Sequence, residues 1–347
     1  MKIPFFVGSY AGAEEESIYR YEMDLENGSL TRIWAYAGAE NPSFVLPHPN
    51  GKILYSVEEL TPQGRVTAYE IRQGGLKKLA SLPSGGADPC HLALDDQAQY
   101  LFVSNYTGGS LAVFRLDESG MLAGMTDLQQ HTGHGTYEIR QASSHVHFSK
   151  YAPDGVLYSC DLGEDTVYVY RLDRENGKLV ETDGNISIPE GCGPRHLLFD
   201  EAVGELAVIT EMGASLVVCR KDGGSYMAAD IISALPDHTD IAALKSGTFR
   251  AIGAAIQMTE RGTILTSQRG HDSISVFARN ANGRWERKGN FPSGGCTPRD
   301  FTVFGKYIVA ANQDSDRICV LRFDEENAEI TDTGMFEEIL KPVCVMG

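Results

Sequence analysis

The residues of this chain that could do chemistry recur at comparable places in a repeating pattern. Apolar runs end in Glu58 and Glu59, Asn105 and Tyr106, Asp161, Glu211, Arg269 and Asn312. Other short runs begin with Ser43, Asp88, His91, His145, His147, Arg195, His196, Arg299 and Asp300. Carboxylates and imidazoles exchange protons, and guanidinium groups hold oxyanions, phosphates or carboxylates through a planar two-pronged contact. Gathered in one place, such side chains would bind a small anionic molecule and stabilise charge developing on an oxygen. The sequence holds no G-x-S-x-G elbow, no Gly-rich phosphate loop and no H-E-x-x-H pair. A serine-hydrolase triad, a P-loop and a zincin site are therefore not expected. His131, His134, His145 and His147 form a conceivable metal set, but His131 and His134 fall in a Gly-rich stretch. No metal and no other cofactor is expected.

These side chains need a scaffold that repeats as they do. One copy of the repeat reads NPSFVLPHPNGKILYSVEE (41–59), followed by GRVTAYEI (64–71) and GLKKLASL (75–82). Another reads DPCHLALDDQAQYLFVSNY (88–106), then SLAVFRLD (110–117). Further copies begin near Ser144, Gly193, Ala251 and Thr297. The interval, about 45 to 58 residues, is that of four-stranded propeller blades. Runs such as TVYVYR (166–171) and SISVFA (273–278) are rich in β-branched and aromatic residues. Helical periodicity is weak throughout; residues 234–244 come nearest to it and are read as a loop.

Six units are visible in full, and a seventh assembles from the two ends of the chain. KPVCVMG (341–347) supplies a first strand, and PFFVGSY (4–10), SIYRYEMD (17–24) and SLTRIWAY (29–36) supply the second to fourth. The expected fold is all-β: one seven-bladed β-propeller domain over residues 1–347, with four-stranded antiparallel blades. N- and C-terminal strands in one blade close the ring and leave no bare edge. First and second strands of a blade run antiparallel, so the start of one and the end of the other emerge together near the axis. That places the residues named above around one mouth of the channel.

The formal charge of −17 argues against nucleic acid and anionic membrane surfaces as partners. No apolar run approaches the ~20 residues of a bilayer span, and Met1 to Tyr10 lack the features of a secretory leader. The seven cysteines are odd in number and contain no C-x-x-C, which fits reduced thiols in a cytoplasmic protein. An anionic ligand would have to meet arginines against an unfavourable global field.

NPSF, the NY of VSNYTGGS, SHVH, DLGEDTV, GPRHLLF, the Arg-Gly of SQRG and the NQ of AANQDSD together resemble the lactonase propellers, essentially from end to end. That family includes propeller-type 6-phosphogluconolactonases and fungal carboxymuconate-lactonising enzymes. The resemblance implies activity at one channel mouth through a His, two Arg and a Glu. Motif by motif these fall on His147 of SHVH, Arg195 of GPRH, Arg269 of SQRG and Glu211. His145, Asn105, Tyr106, Asp161, His196, Arg299 and Asn312 are expected to line the substrate. The sequence departs from the family pattern in reading SQRG for the more usual SNRG, and in MGASLVV after Glu211.

The implied activity is a cofactor-free carboxylic-ester hydrolase acting on a small anionic sugar lactone. The implied reaction is hydrolysis of 6-phospho-D-glucono-1,5-lactone in the pentose phosphate pathway, by a monomer or homodimer. The alternatives are lactonisation of a carboxymuconate-like acid and ligand binding without catalysis. Within the site Glu211 is the first choice of proton acceptor, because apolar LAVIT precedes it and burial raises a carboxyl pKa, with Arg195 opposing the rise. His147, taken as equivalent to His91 and His196, is the second choice. Arg195 and Arg269 are expected to face one another across the channel and clamp an anion.

Overall fold

Each blade grows outward from a strand that is buried on both faces. Ile53–Glu58, Tyr100–Asn105, Glu205–Thr210 and Tyr307–Asn312 are buried at every position. Such a strand needs a partner along each edge and a packed layer against each face. The strands before and after it supply the edges, and the neighbouring blades supply the layers. Fourth strands such as Leu122–Gln130 and Glu329–Glu338 are largely exposed or half-buried, as an outer edge requires.

The structure, a computed structural model, describes residues 1–152, 154–240 and 252–347. Among these residues the strands form seven antiparallel sheets, here blades 1 to 7 around the ring. Blade 1 joins Pro342–Met346 to Lys2–Ser9, Glu16–Asp24 and Leu30–Ala37. Blades 2, 3 and 4 open with Val45–Pro47, Pro89–Leu94 and Val146–Tyr151. Blades 5, 6 and 7 open with Pro194–Asp200, Gly253–Met258 and Pro298–Phe304. Apolar clusters knit each blade to the next. Tyr100 and Phe102 meet Leu157 and Tyr170 between blades 3 and 4, and Phe5 and Tyr21 meet Phe304 and Tyr307 between blades 1 and 7. The chain ends close the ring as the repeat implied: Phe6 pairs with Met346, Val7 with Val345 and Gly8 with Cys344. In the stretch 234–244 the described residues, 234–240, contain no helix. Its remainder, and Ala251 at the head of blade 6, lie outside the described residues.

Two local devices shape the inner end of each blade. Asn41, Asp88, Gly193, Thr297 and Lys341 have φ between 40° and 64°, and each precedes a proline. The carbonyl of each accepts the N–H of the residue just past the second strand of its blade, from Glu59, Tyr106, Glu211, Gln313 and Tyr10 respectively, at 2.7–3.1 Å. His145 and Ile252 accept from Leu162 and Arg269 in the same way without a proline. The second device is a bulge immediately after the proline. Pro89 pairs with Asn105 and His91 with Ser104, so Cys90 is skipped. Arg195, Arg299 and Val343 are skipped likewise, as is His147 in blade 4. A bulged residue re-aims its side chain, and here the side chains turn to the common axis, where those of five blades, with Ser43 of a sixth, line one cavity.

The closing strand tests this architecture. Val343, Cys344 and Val345 are almost wholly buried. Burying an apolar side chain of this size is worth ~1.5–3 kcal/mol, so their loss approaches the ~5–15 kcal/mol that holds a typical native state together. A chain ending at Lys341 is expected to be insoluble or to lack a cooperative thermal transition. Melting like that of the full chain would show that the ring does not depend on this strand.

Candidate active site

Ser43 and the bulged residues Cys90, His147, Arg195, Arg299 and Val343 surround a small cavity on the axis, with Phe44, His196 and Asp300 from the next position below. Residues that follow the second strands meet this lining: Tyr10 bonds Arg299, Glu59 bonds Ser43, Tyr106 packs against His147, and Glu211 bonds Arg195 and, beyond it, Arg269. These two positions of the blade build the site.

Glu211 is its electrostatic centre. Oε2 accepts from Arg195 Nε at 3.1 Å and from Arg269 Nη2 at 2.7 Å, while Oε1 accepts from Arg140 Nη2 at 2.5 Å. Arg195 and Arg269 are buried, and each also donates to a backbone carbonyl, of Ala254 and Gly253 respectively. Arg140 comes from the segment between blades 3 and 4, is partly exposed, and lies over the Tyr106 ring at 5.7 Å. Burial alone would raise the Glu211 pKa, but Arg269, Arg140 and Arg195 together hold it well below the usual carboxylate range. The apolar LAVIT strand is outweighed by three guanidinium groups, which favour the ionised carboxylate.

Arg299 completes the cationic set from blade 7. It donates to the Tyr10 hydroxyl at 2.8 Å, and Tyr10 in turn donates to Glu59 at 2.8 Å. Four guanidinium groups thus converge with two carboxylates, Glu211 and Glu59, in a chain whose formal charge is −17. His147 stands among them with Nδ1 buried and without a hydrogen-bond partner among the described residues. Burial, then Arg195, Arg299 and Arg269, push its pKa well down, so the imidazole is neutral. His145 stacks on Tyr106 at 4.4 Å and points Nδ1 at the Tyr106 carbonyl.

Several expectations need correction. Arg195 and Arg269 come from adjacent blades and do not face one another across the channel; the anion between them is Glu211 itself. His147 is not equivalent to His91 and His196. The register makes it equivalent to the bulged Cys90, Arg195 and Arg299, while His91 and His196 correspond to Phe148, one residue deeper. His91, Phe148 and His196 pack ring on ring at 4.1 and 4.6 Å, forming an aromatic floor. Arg195 donates to Nε2 of His196 at 3.1 Å, so His196 reaches the site as a neutral acceptor.

Asn105, Asp161 and Asn312 do not join the site. Each is the last residue of its second strand, and the two-residue period turns it sideways into the blade. Asn105 donates to the Ser84 carbonyl and Asn312 to the Ser293 carbonyl, near 3.0 Å in both cases. Each latch packs against its own glycine. A Cβ on Gly86 or Gly295 would stand 2.7 Å from the Cβ of the respective asparagine. Asp161 accepts from the N–H groups of His145 and Gly163 and from His131 at 2.7 Å. Residues absent from the expected set are Arg140, whose segment carries no strand signal, and Tyr10 and Cys90; Asp300 was placed at the channel mouth but given no part in binding or catalysis.

The four histidines weighed as a metal set do not converge on one point. Both ring nitrogens of His131 are taken, by Asp161 and by the Tyr170 hydroxyl at 2.7 Å, while His145 is bonded to Tyr106. His131, Asp161 and Glu164 do approach within 4.8 Å of one another. However, Glu164 is occupied by Ser144, the Gly133 N–H and Tyr168, so the group is a closed hydrogen-bond network bracing the Arg140 segment.

Fold and site together define a seven-bladed propeller with a buried, cation-rich cluster of side chains gathered on its axis. The chain belongs to the lactonase family of seven-bladed β-propellers, whose profile it matches over residues 4–346. It is 33% identical to the 6-phosphogluconolactonase of Bacillus subtilis over 350 residues, covering 98% of this chain and 97% of that protein. It is 29% identical to the 6-phosphogluconolactonase of Formosa agariphila, covering 99% and 97%. Its fold superposes on the periplasmic gluconolactonase of Pseudomonas aeruginosa with a TM-score of 0.88, at 25% identity and 99% and 98% coverage.

Two sets of substitutions separate the site from its frame. Asn105→Ala or Asn312→Ala leaves a buried carbonyl unpaired and is expected to cost ~1–3 kcal/mol in denaturant unfolding, with activity retained. Glu211→Gln strands buried guanidinium groups, a loss of ~3–5 kcal/mol. Millimolar phosphate is expected to recover part of the lost melting temperature in Glu211→Gln and to add little to the wild type.

Proposed function

We propose that this protein hydrolyses a sugar δ-lactone, and that its substrate is 6-phospho-D-glucono-1,5-lactone. The observation that carries this reading is the excess of guanidinium over carboxylate in the axial pocket of an acidic chain. Such a lactone makes two demands on a site. Its carbonyl oxygen becomes an oxyanion when water adds, and its phosphate is a dianion that must be held meanwhile. Buried guanidinium groups serve both, because preorganised donors in a site poor in water stabilise developing charge strongly. Glu211 acts as a positioning residue: it keeps Arg140, Arg195 and Arg269 together against their mutual repulsion. His147 presents a neutral imidazole that can donate to or accept from the substrate.

The seven cysteines are all free thiols, which supports a reducing compartment and a cytoplasmic role in the pentose phosphate pathway.

The test compares hydrolysis of the phosphorylated lactone with that of unphosphorylated gluconolactone, following release of the open-chain acid. A preference of ~10-fold or more in kcat/KM for the phosphorylated substrate is expected. Arg269→Lys keeps the charge but loses the fork that meets Glu211 and the Gly253 carbonyl, and is expected to lower kcat/KM ~10–100-fold. Equal rates on both lactones would refute the phosphate assignment. Turnover of a carboxymuconate-like acid in place of either lactone would reverse the direction of the reaction.

A further inference from the structure

Hydrolysis needs a group that takes a proton from water, and the two residues favoured by sequence are poorly suited to it. Glu211 is held ionised by its guanidinium partners, and the cations around His147 oppose protonation of its ring. Another carboxyl reaches the same cavity. Asp300 lies one residue below the bulged Arg299 and lines the cavity with Ser43, His147 and Arg195. The cavity offers about 20 Å³ of room. A buried water needs ~10–15 Å³ and two to four polar partners, and these side chains provide them. Asp300 Oδ2 accepts the Val345 N–H at 2.8 Å, so the closing strand of blade 1 fixes the carboxylate in place. Asp300 also borders a larger cavity of about 470 Å³, lined by His91, Phe148, His196 and Lys150. It therefore stands in the partition between the site and the channel.

We propose that the small cavity seats the hydrolytic water and that Asp300 accepts its proton. The proposal rests on the lactonase reading. The water oxygen forms a bond to the lactone carbonyl carbon, its proton passes to the Asp300 carboxylate, and the carbonyl electrons move to an oxyanion held by guanidinium. As the oxyanion collapses, the bond from that carbon to the ring oxygen breaks. Asp300 returns its proton to the departing oxygen, which becomes the new hydroxyl. One water is consumed, and Asp300 ends as it began.

The surroundings of Asp300 suit a group that gains and loses a proton near neutrality. Burial raises its pKa to about 7, against the lowering effect of the Val345 and Phe301 N–H groups and of Arg195 and Arg299. The Cys344 thiol beside it is itself pushed well up by burial and remains neutral. His91 and His196 are neutral as well, and Lys150 faces the lower cavity. A proton acceptor must be ionised to work, so turnover is expected to rise with pH through about 7 and to fall away below it.

The decisive experiment measures kcat against pH for the wild type, Asp300→Asn and Asp300→Glu. Asparagine still accepts the Val345 N–H but cannot take a proton. A loss of ~10²–10⁴ in kcat with little change in KM is expected in Asp300→Asn, with no acidic limb in what remains and partial rescue in Asp300→Glu. An Asp300→Asn kcat within about threefold of wild type, or residual activity with the limb intact, overturns the assignment. Should Asp300→Asn fail to fold, the wild type decides: its carboxylic C=O infrared band must grow as pH falls through about 7, in step with the loss of kcat. An active wild type without that band and limb refutes Asp300 alone. A wild type inactive on every sugar lactone refutes the functional reading, and this proposal with it.

Discussion

At the inner end of each blade a backbone hydrogen bond runs from the residue past the second strand to the carbonyl two residues before the bulge position. Because it joins backbone groups, it is indifferent to the side chains at either position. The frame therefore repeats while its load varies. The bulge position holds Cys90 in blade 3, His147 in blade 4 and an arginine in blades 5 and 7; the position past the second strand holds Tyr106, Glu211 or Arg269. Positive charge is concentrated in blades 5 to 7, aromatic and imidazole rings in blades 3 and 4, and the Tyr10–Glu59 pair in blades 1 and 2. A near-symmetric scaffold holds an asymmetric site.

The arginines could not occupy that frame unaided. Arg195 and Arg269 are buried beside one another, and burial together with neighbouring guanidinium charge pushes the pKa of both down. Glu211 offsets this repulsion by sharing its oxygens among three cations, which explains why a carboxylate sits at the heart of a cluster of buried arginines. The global charge matters less than its sign suggests. At physiological salt, exposed charges are screened beyond ~8 Å, whereas groups gathered inside a pocket of low polarity act on one another strongly.

Much of the fold was legible in the sequence because the repeat is written twice, in strand composition and in turn residues. The ring closure followed from counting strands at both ends. The site was legible only to within one residue. Glu211, Arg195, Arg269, Arg299, Tyr106 and His147 come together, but Asn105, Asp161 and Asn312 were drawn in from the position next door. In a strand a shift of one residue exchanges the faces, and the bulge that resets the count leaves no mark in composition. It does leave one in local chemistry. N-P-S, D-P-C, G-P-R, T-P-R and K-P-V each place the axial residue third, directly after a proline that follows a left-handed residue. Arg140 was out of reach of such reasoning, since it belongs to no repeat and is placed by hydrogen bonds of Gln141 and Glu164.

The pairing of Phe6 with Met346 joins residues at opposite ends of the chain. On a ribosome adding ~5–20 residues per second, the second strand of blade 1 would wait roughly 17–70 s for its neighbour. Contacts of such sequence separation are also slow to find. The delay reaches the pocket itself, because Arg299 rests against Tyr10 of blade 1 and Asp300 takes its orientation from Val345 on the last strand. A nascent chain would thus own most of its arginines long before it could use them, and the pocket is finished only when the strand that closes the ring has docked.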